Sequence, residues 1–240
     1  MIINILLTVI PSLALAVFFY RRLGHPFAPA VEGPSPAAPP DSPRRSRRLL
    51  ALVFLLGFFI VIPAGIAELA VKNFSAALIP PALRPLWTAF VTVAMIEEGA
   101  KFLVIRLVVF PRKNLRLPRD TLIFAVCAGL GFALFENIIY SLDRRLTILI
   151  RGFTAVILHG IASGLMGFFA GRAQEEARRG RPPGKLFLRG YGTACFIHGL
   201  YDYLLFLPGF FPFLTLPLLL LSGLFLRFLL RRQERLGGAP

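Results

Sequence analysis

The segment MIEEGAKFLVIR, residues 95–106, sets two adjacent carboxylates, Glu97 and Glu98, and an amine, Lys101, inside a run otherwise apolar enough to lie in lipid. A charged side chain near the bilayer centre costs at least ~2.5 to 3.5 kcal/mol on insertion scales, so membrane helices keep such groups for pairing, transport or chemistry. Other apolar runs carry further polar groups: Glu136 and Asn137 in GFALFENIIY, His159 in ILHGIASGLMG, and His198 with Asp202 in FIHGLYDYL. Carboxylates and imidazoles can together hold Zn²⁺ or another divalent cation with one position open for water. A carboxylate in a low-dielectric site can also take a proton from water while histidines or a metal stabilise the developing oxyanion. Either route hydrolyses a peptide without a serine or cysteine nucleophile. There is no HExxH, so the usual helical zinc-protease arrangement is absent. Spacing alone leaves both routes open.

Within this set the residue types suggest roles. Lys101 stands i+4 from Glu97 and i+3 from Glu98, while adjacent helical residues point ~100° apart. One glutamate can therefore pair with the amine while the other faces a cavity. Glu97, Glu98, Glu136, His159 and His198 are the expected catalytic groups, with Glu136, His159 and His198 as the metal ligands. Lys101, Asn137 and Asp202 are expected to support them. Asp202, one helical turn from His198, can accept its ring N–H. Glu68, near the end of an apolar run, reads as an interfacial residue and is left out of the site.

The elements that must position these groups are membrane helices. Of 240 residues 56% are hydrophobic and 16% charged, and the mean hydropathy is +0.72, which excludes an ordinary soluble domain. About 20 apolar residues cross a bilayer, and seven such runs are expected, at 2–20, 49–71, 86–110, 121–142, 148–171, 188–207 and 210–230. The expected fold is an all-α polytopic transmembrane bundle. Residues 1–23 form a first anchor, read as retained because no basic residue precedes the run and Arg21 and Arg22 follow it. Residues 24–48, rich in proline and small residues, form a disordered cytoplasmic linker. Residues 49–230 are the catalytic bundle and 231–240 a basic cytoplasmic tail. Cys127 and Cys195 fall inside apolar runs and read as packing thiols.

The charges orient the bundle. The loops after spans one, three and five and the C-terminal tail carry 20 of the 27 Lys and Arg residues. By the positive-inside rule the N-terminus is outside and the C-terminus cytoplasmic. The net charge of +15 thus meets anionic lipid at the cytoplasmic face, with no nucleic acid implied. At 1.5 Å per residue this topology puts Glu97 and His159 ~16 Å below the outer edge, His198 ~15 Å from the inner edge, and Glu136 ~9 Å from the outer edge. All four can share one site in the outer half of the membrane. Small residues Ala125, Gly129 and Ala133, and the series Gly160, Gly164, Gly167 and Gly171, form stripes that let two helices approach closely beside those groups.

These pieces resemble the PrsW-type intramembrane proteases, distant relatives of the CAAX prenyl endopeptidase and bacteriocin-immunity membrane proteins. The matching pieces are EEGAK at Glu97, Glu98 and Lys101; F-x-x-x-E-N from Phe132 to Glu136 and Asn137; HGIASG from His159; and H-x-x-x-D from His198 to Asp202. Asp120 also matches a recurrent position, and the resemblance covers residues 95–205. It implies an integral membrane endopeptidase of the bacterial cell membrane that cuts membrane-anchored proteins. The second motif ends in Glu136 where the wider superfamily has histidine, so a metal set and a glutamate-activated water both remain open. A proton- or cation-coupled transporter and a non-catalytic scaffold are the alternatives from other classes.

Overall fold

A computed structural model describes residues 43–112, 118–140 and 147–237, together with residues 10, 13–15 and 17. The first expected span and the linker as far as residue 42 otherwise lie outside the described residues. The described residues are mostly helical, with no strand among them. Helix α1 spans Pro43–Phe59 and α2 spans Val61–Ser75. A helical rod, α3, then runs through four pieces, Arg84–Trp87, Thr88–Met95, Ile96–Val104 and Ile105–Val109. After it come α4 (Arg119–Tyr140), α5 (Thr147–Arg178), α6 (Gly184–Phe206) and α7 (Thr215–Gly237).

Four stretches are long and apolar enough to cross a membrane: Arg47–Ser75, which is α1 with α2, Arg119–Tyr140, Phe153–Arg178 and Phe211–Gln233. The rods α3 and α6, which carry Glu97, Glu98, Lys101, His198 and Asp202, are not among them. Two expected boundaries shift. Helix α1 begins at Pro43, inside the expected linker, because proline suits the first turn of a helix and the following Arg44, Arg45, Arg47 and Arg48 propagate it well. Helix α7 likewise runs on to Gly237 through the expected tail. Between α1 and α2 the helix breaks at Ile60, three residues before Pro63, whose missing N–H cannot bond the carbonyl of Phe59.

Helix α4 sits at the centre and is buried along almost its whole length, with α1, α3 and α5 around it. The small-residue stripes explain the closeness of α4 and α5. A Cβ on Gly129 would come within 2.6 Å of the His159 carbonyl and of Ser163 Oγ, and one on Gly167 would strike Ala125 and the Thr121 carbonyl. The backbone carrying His159 is therefore held against the helix carrying Glu136. On its other side α5 packs against α6. Helix α7, mostly exposed, contributes Leu219, Leu226 and Leu229 to an apolar cluster with α5 and α6.

Rod α3 is not a uniform α-helix. Thr88–Met95 and Ile105–Val109 are π-helical, with Phe110 N–H bonding Ile105 O, five residues back. Wide turns loosen the carbonyl ladder, and α6 uses the result: Tyr191 Oη donates to Met95 O at 2.7 Å, and Cys195 Sγ lies 3.8 Å from Ala94 O. Such interruptions recur at functional sites, and here the α-helical piece between them carries the charged motif. α3 and α6 are thus clamped at the turn that precedes Glu97.

Candidate active site

The glutamate pair leaves the end of the π-helical stretch pointing inward, and both carboxylates are buried. Lys101 Nζ, fully buried, lies 2.7 Å from Glu98 Oε1 and 3.3 Å from Glu97 Oε2, and 4.1 Å from the centroid of the Phe132 ring. The same ammonium stands 2.8 Å from His159 Nδ1. On its other nitrogen, Nε2, His159 meets Glu136 Oε2 at 2.7 Å. The ammonium can only donate, so His159 accepts at Nδ1 and its ring proton lies on Nε2, toward Glu136.

His198 closes the cluster from α6. Its Nδ1 stands 2.8 Å from Glu98 Oε1, while Nε2 faces Asp202 Oδ2 at 3.3 Å and Glu97 Oε2 at 3.7 Å. The rings of His159 and His198 meet edge to face, with centroids 5.1 Å apart. Four elements, α3, α4, α5 and α6, each deliver one part of one polar cluster.

All five expected catalytic residues converge, and Lys101 and Asp202 lie among them. Asn137 is buried next to Glu136. The grouping that could hold a metal differs from the expected set in one member. One ligand atom each from Glu97, His159 and His198 lie within 4.8 Å of one another, the grouping able to hold a metal ion among the described residues. This grouping contains Glu97 and not the expected Glu136, whose Oε2 lies 2.7 Å from Nε2 of His159. Asp202 stands 3.3 Å from Nε2 of His198, as its i+4 spacing suggests, while Glu98 on α3 takes the other ring nitrogen, Nδ1, at 2.8 Å. Asp120, in the first turn of α4, stands sixteen positions from Glu136 or about 24 Å along the axis, well away from the cluster.

One residue escaped the sequence reading. Glu68 on α2 interacts electrostatically with Glu136, His198, Lys101 and Asp202, and with Glu97 in turn.

Comparison with known proteins fixes the lineage. The PrsW family intramembrane metalloprotease profile matches residues 45–228, most of the chain. The chain belongs to the PrsW family. Protease PrsW of Geobacillus kaustophilus is 30% identical over 156 residues, covering 64% of this chain and 65% of the relative. Protease PrsW of Oceanobacillus iheyensis is 24% identical over 192 residues, 78% of this chain and 83% of the relative. That of Bacillus subtilis is 26% identical over 120 residues, about half of each. The chain thus spans just under two thirds of the Geobacillus protein's length. No solved structure matches. Bacterial PrsW relatives and the apolar helices make this chain an integral membrane protein of the bacterial cell membrane. The matched span contains every residue of the polar cluster.

Proposed function

We propose that this chain is an intramembrane endopeptidase that hydrolyses membrane-anchored protein substrates at the cluster of Glu97, Glu98, Glu136, His159 and His198. The observation that carries the reading is the approach of Glu97, His159 and His198, from three different helices, to within 4.8 Å in a buried setting. A polar cluster so costly to place among apolar helices is better accounted for by chemistry than by packing. Family membership favours hydrolysis over the transporter and scaffold alternatives. The proposed bundle crosses the membrane seven times with its N-terminus outside, its basic loops meeting anionic lipid on the cytoplasmic face.

The residues fit a divalent cation. His198 turns both ring nitrogens to carboxylates, Nδ1 to Glu98 and Nε2 to Asp202 and Glu97, so Nε2 there must carry a proton or face a cation. Glu98 Oε2 is buried without a hydrogen-bond partner. Glu97, His159 and His198 would hold the ion, which when bound would polarise the scissile carbonyl and acidify water. The remaining steps fall to the chain. Glu98, held by Lys101, fixes the tautomer and tilt of His198. Glu136 does the same for His159 from the other side. With one oxygen of Glu97 given to the ion, its second oxygen would take the proton of the attacking water, and the burial of the cluster restricts water to what the reaction uses.

The test is a comparison of protein termini in bacterial membranes containing the wild-type chain or Glu97→Ala at matched abundance. New termini in or beside membrane segments, present only with wild type, are expected. Identical termini in the two membranes would defeat the hydrolase reading.

A further inference from the structure

Helix α7 has two unlike faces. Leu219, Leu226 and Leu229 turn inward to the cluster shared with α5 and α6. At about 100° per residue, the opposite face carries Leu220, Leu221, Leu224 and Phe228, all exposed, and continues into Arg227, Arg231 and Arg232, exposed as well. The apolar stretch Phe211–Gln233 ends at these arginines. Leu224, Phe228 and the three arginines line one hollow of about 630 Å³. None of the three guanidiniums makes an ion pair or hydrogen bond among the described residues. The acids ending α5 are engaged elsewhere: Glu175 pairs with Arg179 at 2.9 Å, and Glu176 with Arg179 at 3.3 Å and Arg181 at 3.0 Å. Next in the sequence, Glu234 and Arg235 cancel in charge. Gln233 Oε1 accepts from Arg172 Nη1 at 2.7 Å, which ties the end of α7 to α5 and fixes its rotation with the arginines turned outward.

Three unpaired guanidiniums on one face repel one another, and an anion with several acceptor oxygens relieves this. Guanidinium matches phosphate with paired hydrogen bonds. A small hydrated anion would leave Leu224 and Phe228 unused, so the ligand that fits the whole hollow carries hydrocarbon as well as negative charge. From Leu220 to Phe228 the exposed apolar stripe runs eight positions, about 12 Å, close to the ~15 Å hydrocarbon depth of one leaflet. We propose that this face of α7 binds one anionic phospholipid, its phosphate held by Arg227, Arg231 and Arg232 and its acyl chains lying along Phe228, Leu224, Leu221 and Leu220. This narrows the general lipid contact of the basic loops to a single site, and it stands whether or not the polar cluster hydrolyses peptides.

Native mass spectrometry of the full chain in detergent, titrated with dioleoyl phosphatidylglycerol or dioleoyl phosphatidylcholine, measures this directly. One retained phosphatidylglycerol is expected, bound at least about tenfold tighter than phosphatidylcholine. Each basic residue beside an anionic headgroup contributes about fivefold in affinity, so Arg231→Gln alone should lose about fivefold and the triple variant Arg227→Gln/Arg231→Gln/Arg232→Gln about a hundredfold. Phe228→Gln, which keeps the charges, should weaken binding through the chains. Lys72→Gln/Arg106→Gln/Arg112→Gln removes as much charge from other places and should bind as wild type does. Circular dichroism verifies the fold of each preparation, and Arg231→Gln decides the matter if the triple variant does not fold. Equal affinity for the two lipids would reduce the face to apolar contact, and equal loss in the Lys72, Arg106 and Arg112 control would reduce it to diffuse charge. Displacement of phosphatidylglycerol by inorganic phosphate would make it a plain anion pocket. A wild-type dimer that holds no lipid and dissociates in the triple variant would assign the face to a second copy of the chain. Each of these four results overturns the proposal and leaves the reading of the polar cluster untouched.

Discussion

Lys101 Nζ stands 2.8 Å from His159 Nδ1, the ring nitrogen turned toward the centre of the cluster. The opposite nitrogen is engaged by Glu136, so Nδ1 is the atom that the lysine and a metal ion would both seek. Lys101 therefore serves as a resident positive charge, compensating Glu97 and Glu98 as the protein folds. Removing one partner of a buried ion pair typically costs about 3–5 kcal/mol. Lys101→Met is expected to lower the melting temperature markedly in detergent. Added Zn²⁺ should recover part of the loss, since a ligand bound only by the folded state stabilises it by mass action. An unchanged melting temperature would mean that the ammonium is not the compensating charge.

Glu97 and His198 are expected to be indispensable to cleavage. Loss of a general base lowers rates by about 10²–10⁴-fold. Glu97→Gln and His198→Ala should fall at least that far while inserting normally and keeping their helical content. Substrate cleavage and circular dichroism on the same preparations decide it. Retained turnover in Glu97→Gln would transfer the base role elsewhere.

Glu136 and Asp202 should grade differently. Glu136 holds His159 at 2.7 Å, while Asp202 lies 3.3 Å from His198 and shares that ring with Glu98. Removing an outer-shell partner costs about 10–100-fold, so Glu136→Gln is expected at the severe end and Asp202→Asn at the mild end. The reverse order in measured kcat/KM would show that Asp202 does more than its distance suggests.

How far this site could be read from the chain depends on what each kind of inference can see. Helical depth is a matter of counting, so placing Glu97, Glu136, His159 and His198 at a common level required only the spans. Rotation about each helix axis is not countable once a rod contains π turns, so spacing could not show that Glu97 stands with the two histidines while Glu136 meets His159 alone. The pairing of His198 with Glu98 crosses from α6 to α3, one hundred positions apart, and no local spacing reports it. Spacing within α6 pointed to Asp202 because that neighbour is local. Glu68 was read as interfacial because it stands near the end of its apolar run, with Lys72, Asn73 and Ser75 close behind it.

Packing beneath the site offers a separate check. Gly129 has no room for a Cβ beside the His159 carbonyl, whereas a Cβ on Gly160 would find its nearest atom, Leu130 Cδ2, at 4.0 Å. Gly129→Val should cost about 1–3 kcal/mol by overpacking and displace His159, lowering both melting temperature and activity. Gly160→Ala should be neutral or stabilising, by up to about 1 kcal/mol from helix propensity. Paired melting curves test the contrast, and a tolerated Gly129→Val would contradict the close approach of α4 and α5.

The π-helical stretch Thr88–Met95 makes the site dependent on residue count as well as residue identity. An α-helix advances each residue by about 100°, so a stretch that accommodates an extra residue fixes the angular register of everything beyond it. Losing one codon between 88 and 95 would leave the hydropathy, the charge and all the cluster residues in place. The shortened rod would close into regular α-helix, and the glutamate pair would rotate by about a quarter turn against the Tyr191 clamp. Genetic change of this kind could silence the enzyme while preserving every motif by which a relative is recognised.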